Sequence, residues 1–350
     1  MLHGPAAMGE PWPPQPQQQR LPGLGNASEP SAWPAAAGGP GTAAPGGGGA
    51  GAGAGGAVSP WDIALCATGT AVAGENALVL AVLFYTPSLR APMFLLIGSL
   101  ALADLLAGLG LVANFAVRYL LRPPSEAAEL GAAGLLLAAF SASVCSLLAI
   151  TVDRYLSLYN ALTYHSERTL GFTCAMVLLM WLLCLGVGLL PLLGWNCLRD
   201  QSACSILRPV TKDNAAVLAV TFLLLFALMM QLYLQICKIA FRHAQQIAVQ
   251  HQFIATAQAT STRKGLSTLS LILGTFALCW IPFAIYSLVA DSSYPVVYTY
   301  SLALPATCNS LINPIIYAFR NPDIQKSLWL ACCGCVPSTF SSRPRTSSDV

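Results

Sequence analysis

Residues 92–119 read PMFLLIGSLALADLLAGLGLVANFAVRY, an apolar stretch in which the charged residues are Asp104 and Arg118. The hydrocarbon core of a bilayer is about 30 Å thick, so a helix that crosses it needs about 20 mostly apolar residues. The stretch therefore predicts a membrane-spanning helix with a carboxylate close to its middle. A carboxylate at that depth is costly unless it has partners, so Asp104 marks a functional site.

Six further stretches of the chain are similarly long and apolar. They cover roughly residues 61–85, 127–155, 170–193, 214–241, 264–290 and 295–319. Composition agrees, because the chain is 55% hydrophobic and 9% charged, whereas soluble domains carry about 25% charged residues. The surplus apolar surface must face lipid. The sequence therefore predicts an all-α membrane protein, a seven-transmembrane helix bundle.

The charges in the connections orient this bundle. With the N-terminus outside, 11 basic and four acidic residues lie in the cytoplasm, against six basic and eight acidic residues outside. Basic residues concentrate on the cytoplasmic side of membranes, so we expect a multi-pass protein with an extracellular N-terminus. We expect a disordered extracellular tail at 1–59, the seven-helix domain at 60–320, an amphipathic membrane-surface helix at 321–331 and a cytoplasmic tail at 332–350.

Several other classes of protein are disfavoured by the sequence. Its 17 Lys and Arg residues are scattered singly, without the basic stripe of a nucleic-acid binder. A transporter is the main competing class, but it would be expected to show inverted repeats, and the segments share no self-similarity. An enzyme would need a nucleophile or a metal cluster inside the bundle, yet the histidines lie in the tail or in cytoplasmic connections: His3, His165, His243 and His251. We therefore expect no catalytic residue and no nucleic-acid partner.

Asp104 has candidate partners at the same depth of neighbouring spans. These are Ser143 in the third span and Asn309 and Asn313 in the seventh, if the helices are antiparallel neighbours. Four oxygen-bearing side chains could hold a hydrated monovalent cation, so a sodium ion is the one cofactor considered. Amide and hydroxyl hydrogen bonds alone could equally satisfy the carboxylate, and the residues themselves leave both readings open.

Three short motifs stand at the ends and hinges of the spans. They are Asp153-Arg154-Tyr155 at the end of the third span, Cys279-Trp280-Ile281-Pro282 in the sixth and Asn313-Pro314-Ile315-Ile316-Tyr317 in the seventh. Pro282 and Pro314 each remove a helix hydrogen bond and kink their helices. Such kinks provide hinges for rigid-body movement.

These motifs, with Asn76, Asp104 and Trp181, occur in the order and in the helices of the rhodopsin-like (class A) G-protein-coupled receptors, and the chain resembles that family over about residues 61–335. More closely, residues 90–104, residues 150–160 and the ending Ser348-Asp349-Val350 resemble a small orphan group of constitutively active receptors that raise cyclic AMP. That group is similar to the lysophospholipid, cannabinoid and melanocortin receptors. The resemblance implies a plasma-membrane receptor that activates the heterotrimeric stimulatory G protein and adenylate cyclase without ligand. A lysophospholipid- or sphingolipid-gated receptor that needs its agonist is the alternative.

The resemblance also implies roles for cytoplasmic residues. Arg154, Tyr233 and Tyr317 are expected to rearrange when the sixth helix swings outward, and Leu162 is expected to insert into the G-protein α subunit. Lys238, Arg242, Arg263 and Lys264 are expected to help, although anchoring to anionic headgroups is an equal alternative. Between Lys238 and Ala290 the sequence has no Asp or Glu. The sixth helix therefore lacks the acidic restraint on Arg154 that related receptors often have, which favours activity without ligand.

The outer half of the third span indicates the kind of ligand. Leu136 stands where amine receptors keep an acidic residue, and the position one turn higher carries no basic residue for a lipid phosphate. We expect a pocket for an apolar or zwitterionic lipid. Its lining would be Leu136, Leu137, Phe140, Trp280 and Phe283. Ordinary helix packing is the alternative explanation of these apolar residues.

Covalent modifications follow from the topology and the resemblance. The cysteine that related receptors keep at the outer end of the third helix is missing, so Cys197 and Cys204 are expected to close a local disulfide. Asn26 lies in an Asn-Ala-Ser sequon, a candidate for glycosylation. Cys332, Cys333 and Cys335 are candidates for palmitoylation. Ser338, Thr346, Ser347 and Ser348 are candidate phosphorylation sites for arrestin recruitment, and the last three residues could bind a PDZ-type peptide-binding domain.

Overall fold

The computed structural model describes residues 58–121, 125–159, 170–250, 255–291 and 293–332 of the chain. Seven of its helices are long and apolar enough to cross a membrane. They are α1 (Pro60–Tyr85), α2 (Pro92–Tyr119), α3 (Glu126–Tyr159), α4 (Leu170–Leu189), α5 (Lys212–Gln250), α6 (Ala255–Val289) and α7 (Val296–Arg320). A shorter helix, α8 (Pro322–Cys332), follows α7. The seven-helix prediction is confirmed.

Four helix ends differ from the sequence-based bounds by four residues or more. Helix α3 ends at Tyr159 and not at 155. Helix α4 ends at Leu189 and not at 193, because Pro191 disfavours helical backbone at the residue before it and Gly194 then adopts a left-handed φ of 111°. Helices α5 and α6 extend beyond their apolar parts into the polar segment between them, and the parts apolar enough to span are 212–243 and 266–289. Hydropathy detects only the part of a helix that lies in lipid.

The helices are arranged as a bundle in which successive helices are neighbours, except for α4 and α5, and α7 packs against α1. Helix α3 contacts α2, α4 and α5. Two pairs of glycines let backbones approach closely: a Cβ built on Gly108 of α2 would lie 2.5 Å from the carbonyl oxygen of Gly69 of α1, and a Cβ built on Gly134 of α3 would lie 2.3 Å from the carbonyl oxygen of Gly188 of α4. Small residues at such contacts are typical of helix association in membranes.

Helix α8 begins where Asn321 caps it. The Asn321 side-chain oxygen accepts hydrogen bonds from the backbone nitrogens of Asp323 at 3.0 Å and Ile324 at 3.3 Å. Ile324 is fully buried against the bundle, while Trp329 is 63% exposed. One face of α8 therefore packs on the receptor core and another is open, as expected for a helix lying at a membrane surface.

Candidate functional site

Asp104 is the centre of a buried polar layer between α2, α3 and α7. Its side chain is 1% exposed. One carboxylate oxygen accepts hydrogen bonds from the hydroxyls of Ser143 at 3.2 Å and Ser310 at 2.9 Å, and the other accepts from the Asn313 amide at 2.9 Å. The Asn76 amide of α1 donates to the backbone oxygen of Ser310 at 3.1 Å, which connects a fourth helix to the layer.

The partners of Asp104 differ from the expected set in one residue. Asn309 is buried, but it is not among the hydrogen-bond partners of Asp104, and its side-chain oxygen has no hydrogen-bond partner among the described residues. Ser310, and not Asn309, donates the hydrogen bond from this part of α7 to Asp104. Residues 309 and 310 are both within one turn of Asn313, so only the rotation of α7 in the bundle decides which of them faces Asp104.

The chemistry of this layer is compatible with a sodium ion. Carboxylate, hydroxyl and amide oxygens are the ligands of small hard cations, and the side-chain oxygens of Asn76, Asn309 and Tyr317 are buried without a hydrogen-bond partner among the described residues. The same described residues contain no group of three or more His, Cys, Asp or Glu that could hold a metal. Since three neutral groups already donate to Asp104, hydrogen bonds alone also satisfy the carboxylate.

A second polar contact lies nearer the cytoplasmic end of the same helices. The hydroxyls of Ser99 in α2 and Ser146 in α3 are 2.8 Å apart, and the Trp181 indole of α4 donates to Ser99 at 3.0 Å. Trp181 therefore joins α4 to the α2–α3 pair. The family resemblance singles out Trp181, but the serines become recognisable only when the helices are packed.

The Asp153-Arg154-Tyr155 motif ends α3 on the side that is predicted to be cytoplasmic. Asp153 is buried at 6% exposure, and the Arg154 guanidinium contacts the sulfur of Met93 at the start of α2. The ring of Tyr155 stacks on Tyr159 at 5.6 Å. Leu162 lies outside the described residues, as do the side chains of Arg263 and Lys264, so their expected contacts with a G protein remain predictions.

The other two tyrosines of the expected switch lie on different helices. Tyr317 of α7 is 4% exposed, and Tyr233 of α5 is partly buried against the core. The Tyr233 hydroxyl contacts the hydroxyl of Ser270 on α6. Ser270 was not among the residues singled out from the sequence, because a lone serine in an apolar span carries no signal of its partner.

Aromatic rings pack against one another in the interior of the bundle, between α3, α5 and α6. Phe140 lies 4.1 Å from Trp280, and Trp280 lies 6.1 Å from Phe283, measured between ring centroids. Phe222, Phe226 and Phe276 complete this aromatic cluster. The Leu136 side chain lies against α2: a Cβ built on Gly110 of α2 would lie 2.8 Å from it. That Leu136 and Leu137 line a ligand pocket stays a prediction.

On the extracellular side of the bundle, a disulfide, a β-bridge and an ion pair link the connections between helices. Cys197 and Cys204 form a disulfide with a Cα–Cα distance of 5.2 Å. The next residue, Ser205, forms a β-bridge with Asp291 between α6 and α7, and Asp291 lies 3.7 Å from Lys212 at the start of α5. Hydrogen bonds from the Ser293 hydroxyl and amide hold the pKa of Asp291 below its usual value, which keeps it ionised.

The same side carries a polar cluster that the sequence did not reveal. Asp62 at the start of α1 accepts hydrogen bonds from the Tyr119 hydroxyl of α2 and the Tyr300 hydroxyl of α7, each at 2.6 Å, and lies 3.2 Å from the Arg118 guanidinium. The ring of Trp61 stacks on Tyr300 at 5.7 Å. Antiparallel pairing of α1 and α2 could have suggested the Asp62–Arg118 pair, but the contribution of Tyr300 depends on α7 closing the bundle.

The disulfide can be checked directly. Peptide mapping of the unreduced receptor is expected to recover Cys197 and Cys204 in one cross-linked fragment, because the fold holds their Cα atoms at bonding separation. Cys174, which is a free cysteine, serves as the internal control for alkylation of the receptor after denaturation without reduction. Alkylation of Cys197 and Cys204 to the same extent as Cys174 without reduction would contradict the bridge.

A seven-helix membrane bundle with a buried carboxylate at mid-depth, a hinged sixth and seventh helix and a charged motif at the end of the third defines a membrane receptor. Residues 75–317 match the family of 7 transmembrane receptors (rhodopsin family), and the chain belongs to that family. It is a G-protein-coupled receptor of the plasma membrane with an extracellular N-terminus, and it is not an enzyme. The competing transporter reading is therefore set aside.

The family membership extends to closely similar relatives. G-protein coupled receptor 12 of Mus musculus is 65% identical over 293 residues, which cover 84% of this chain and 87% of that protein. G-protein coupled receptor 6 of Rattus norvegicus is 54% identical over 294 residues, covering 84% and 80%. G-protein coupled receptor 3 of Rattus norvegicus is 53% identical over 290 residues, covering 83% and 88%.

Proposed function

We propose that this receptor activates the stimulatory G protein without a ligand and so raises cyclic AMP through adenylate cyclase. The observation that carries the proposal is the absence of Asp and Glu from Lys238 through Ala290, a segment that includes all of α6. Helix α6 therefore offers no carboxylate with which to bind α3 in a resting state. A hydrogen bond between charged groups contributes about 1.5–3 kcal/mol, and each 1.4 kcal/mol changes a two-state population about tenfold.

The test is basal cyclic AMP in cells that express the receptor without added ligand. Arg154→Ala, expressed to the same surface density, gives the uncoupled baseline, because the guanidinium is expected to contact the G protein. We expect wild type to lie well above that baseline. A receptor gated by a lysophospholipid or sphingolipid would instead sit at the baseline in lipid-depleted serum and rise only when the lipid is added.

The ligand class that the interior supports best is an apolar or zwitterionic lipid. The ring of Trp280 contacts the ring of Phe140 in a tilted arrangement and the ring of Phe283 edge to face, and aromatic and apolar side chains predominate in small-molecule sites. The same rings also pack as a core. Replacing Phe140 by Ala should therefore alter the response to an added lipid if the site binds it, with surface expression measured alongside to detect a loss of folding.

The remaining partners and modifications are proposed on the sequence motifs. Arrestin would bind the phosphorylated tail, and a PDZ-type domain would bind its last three residues. Palmitoylation is supported by Cys332, which ends α8, the helix expected to lie at the membrane surface. Cys333, Cys335, Asn26, Ser338, Thr346, Ser347 and Ser348 lie outside the described residues.

A sodium ion bound at Asp104 leads to a specific prediction. Basal cyclic AMP of the wild-type receptor is expected to change when external sodium is replaced by N-methylglucamine, whereas that of Asp104→Asn is not, because the variant keeps the shape but loses the charge that would hold a cation. Ser310→Ala, which removes one donor and keeps the carboxylate, is the matched control. An unchanged sodium response in Asp104→Asn would mean that the carboxylate is only hydrogen-bonded.

A further inference from the structure

The extracellular ends of α1, α2 and α7 contribute no residue to the buried core. The buried residues of α1 begin at Gly69, those of α2 end at Gly110 and those of α7 begin at Ala306. Between these residues and the extracellular ends of the three helices, the structure describes every position and none is buried. Close packing against many neighbours is a property of buried residues, so other contacts must hold these helix ends together.

A single carboxylate joins the three helix ends. Oδ2 of Asp62 in α1 accepts a hydrogen bond from the Tyr119 hydroxyl of α2, and Oδ1 accepts one from the Tyr300 hydroxyl of α7, each at 2.6 Å. The Arg118 guanidinium of α2 donates to the same two oxygens at 3.3 and 3.2 Å. The Asp62 side chain is 12% exposed. These hydrogen bonds to a charged acceptor are therefore partly shielded from water, which strengthens them.

The contact with two other helices uses both oxygens of the carboxylate. One oxygen binds the tyrosine of α2 and the other binds the tyrosine of α7. An asparagine at this position has a single acceptor oxygen, and its amide nitrogen only donates. In the observed geometry Asp62→Asn would therefore keep one of the two tyrosine hydrogen bonds and would also lose the charge that faces Arg118.

We propose that Asp62 is a latch that holds the extracellular end of α1 against α2 and α7, and that this end moves away from the bundle when the carboxylate is lost. The ring of Trp61, stacked on Tyr300 at 5.7 Å, adds an apolar contact to the docked position. Asp62 precedes Asn76, the α1 residue of the Asp104 layer, by 14 residues, a rise of roughly 21 Å. The latch is therefore separate from that layer, and the inference does not rest on the proposed function.

Anchoring at the membrane interface is the competing explanation of these residues. Trp and Tyr are common where helices leave the hydrocarbon, because their rings are apolar and carry a polar group. Anchoring acts on each side chain separately, so it would not require one carboxylate to accept from tyrosines of two other helices. The two hydrogen bonds of 2.6 Å that converge on Asp62 favour the latch.

The experiment measures the position of α1 in purified full-length receptor without G protein. Spin labels are introduced by genetic-code expansion in place of Ile63 in α1 and Val217 in α5, two exposed residues, and their distance distribution is recorded. Asp62→Asn is expected to add a population at longer distances and to raise the ratio of displaced to docked receptor about tenfold or more, since it removes a charge-assisted hydrogen bond. Tyr300→Phe and Tyr119→Phe each remove one hydroxyl and should raise that ratio about threefold to tenfold.

Asp291→Asn is the matched control, because it breaks the ion pair with Lys212 on the same side of the receptor and should leave the distances unchanged. The double variant of Asp62→Asn and Tyr300→Phe should raise the ratio by less than the product of the two single effects, because the two substitutions share a hydrogen bond. Distance distributions identical to wild type would reject the latch and leave interfacial anchoring. An equal change in Asp291→Asn would also reject it, in favour of general loosening. If Asp62→Asn does not fold, the two tyrosine variants decide.

Discussion

Thr262→Glu is expected to lower basal cyclic AMP roughly tenfold or more. Thr262 belongs to α6, and the resemblance to the family implies that it lies opposite Arg154; its side chain lies outside the described residues. A glutamate there would supply the charge-assisted hydrogen bond that the acid-free segment lacks. Such a bond contributes about 1.5–3 kcal/mol to the resting state, and each 1.4 kcal/mol corresponds to about a factor of ten in population.

The controls isolate charge from size. Thr262→Gln matches the glutamate in length and shape without its charge, so it should signal close to wild type. Arg154→Ala marks the floor of the assay. All variants are compared at equal surface density. Equal basal signalling of Thr262→Glu and Thr262→Gln, both near wild type, would show that the missing carboxylate is not the cause of activity, and a resident lipid agonist would become the better explanation.

Gly134→Ala is expected to destabilise the receptor strongly, because the α3–α4 contact has no room for a methyl group. The added Cβ would lie 2.3 Å from the backbone oxygen of Gly188, and a backbone atom cannot move aside as a flexible side chain can. Inserting a methylene-sized group into a packed interior typically costs about 1–3 kcal/mol. The measurements are surface receptor number and the melting temperature of the purified receptor in detergent.

Gly131→Ala is the matched control for that variant. Gly131 lies about one turn earlier on the same helix, and a Cβ built on it meets no atom within 4 Å. Both substitutions gain the same helix propensity, about 1 kcal/mol for Gly to Ala, so the difference between them isolates the steric effect. If the two variants melt at the same temperature, the close approach of α3 and α4 is not required for stability.

The features that could be predicted from the sequence are those that consecutive residues reveal. Each membrane span shows itself in about 20 consecutive residues, because lipid imposes the same requirement on every position of a helix that it surrounds. Asp104 was identified for the same reason, since a carboxylate in an apolar stretch is anomalous whatever its partners are. Its partners were harder to identify. Ser143 and Asn313 were found, but Ser310 was missed in favour of its neighbour Asn309.

The aromatic cluster and the Asp62 cluster show why other features could not be predicted. Phe222, Phe226 and Phe276 look like any apolar residues of a span, and they become a cluster only when α5 and α6 turn the same faces towards α3. Asp62 and Tyr300 are 238 residues apart in the chain. No local pattern connects them, because the contact exists only when α7 returns beside α1.

The sequence by itself determined the class of protein, the number and depth of the helices, and the absence of an acidic residue from α6, because each of these is a property of consecutive residues in contact with lipid or water. The tertiary structure alone decided the rotation of each helix about its axis. That rotation selects Ser310 over Asn309 for Asp104, brings Ser270 to Tyr233, and sets Gly134 against Gly188. It is decided by packing against several neighbours at once, which hydropathy along one helix does not encode.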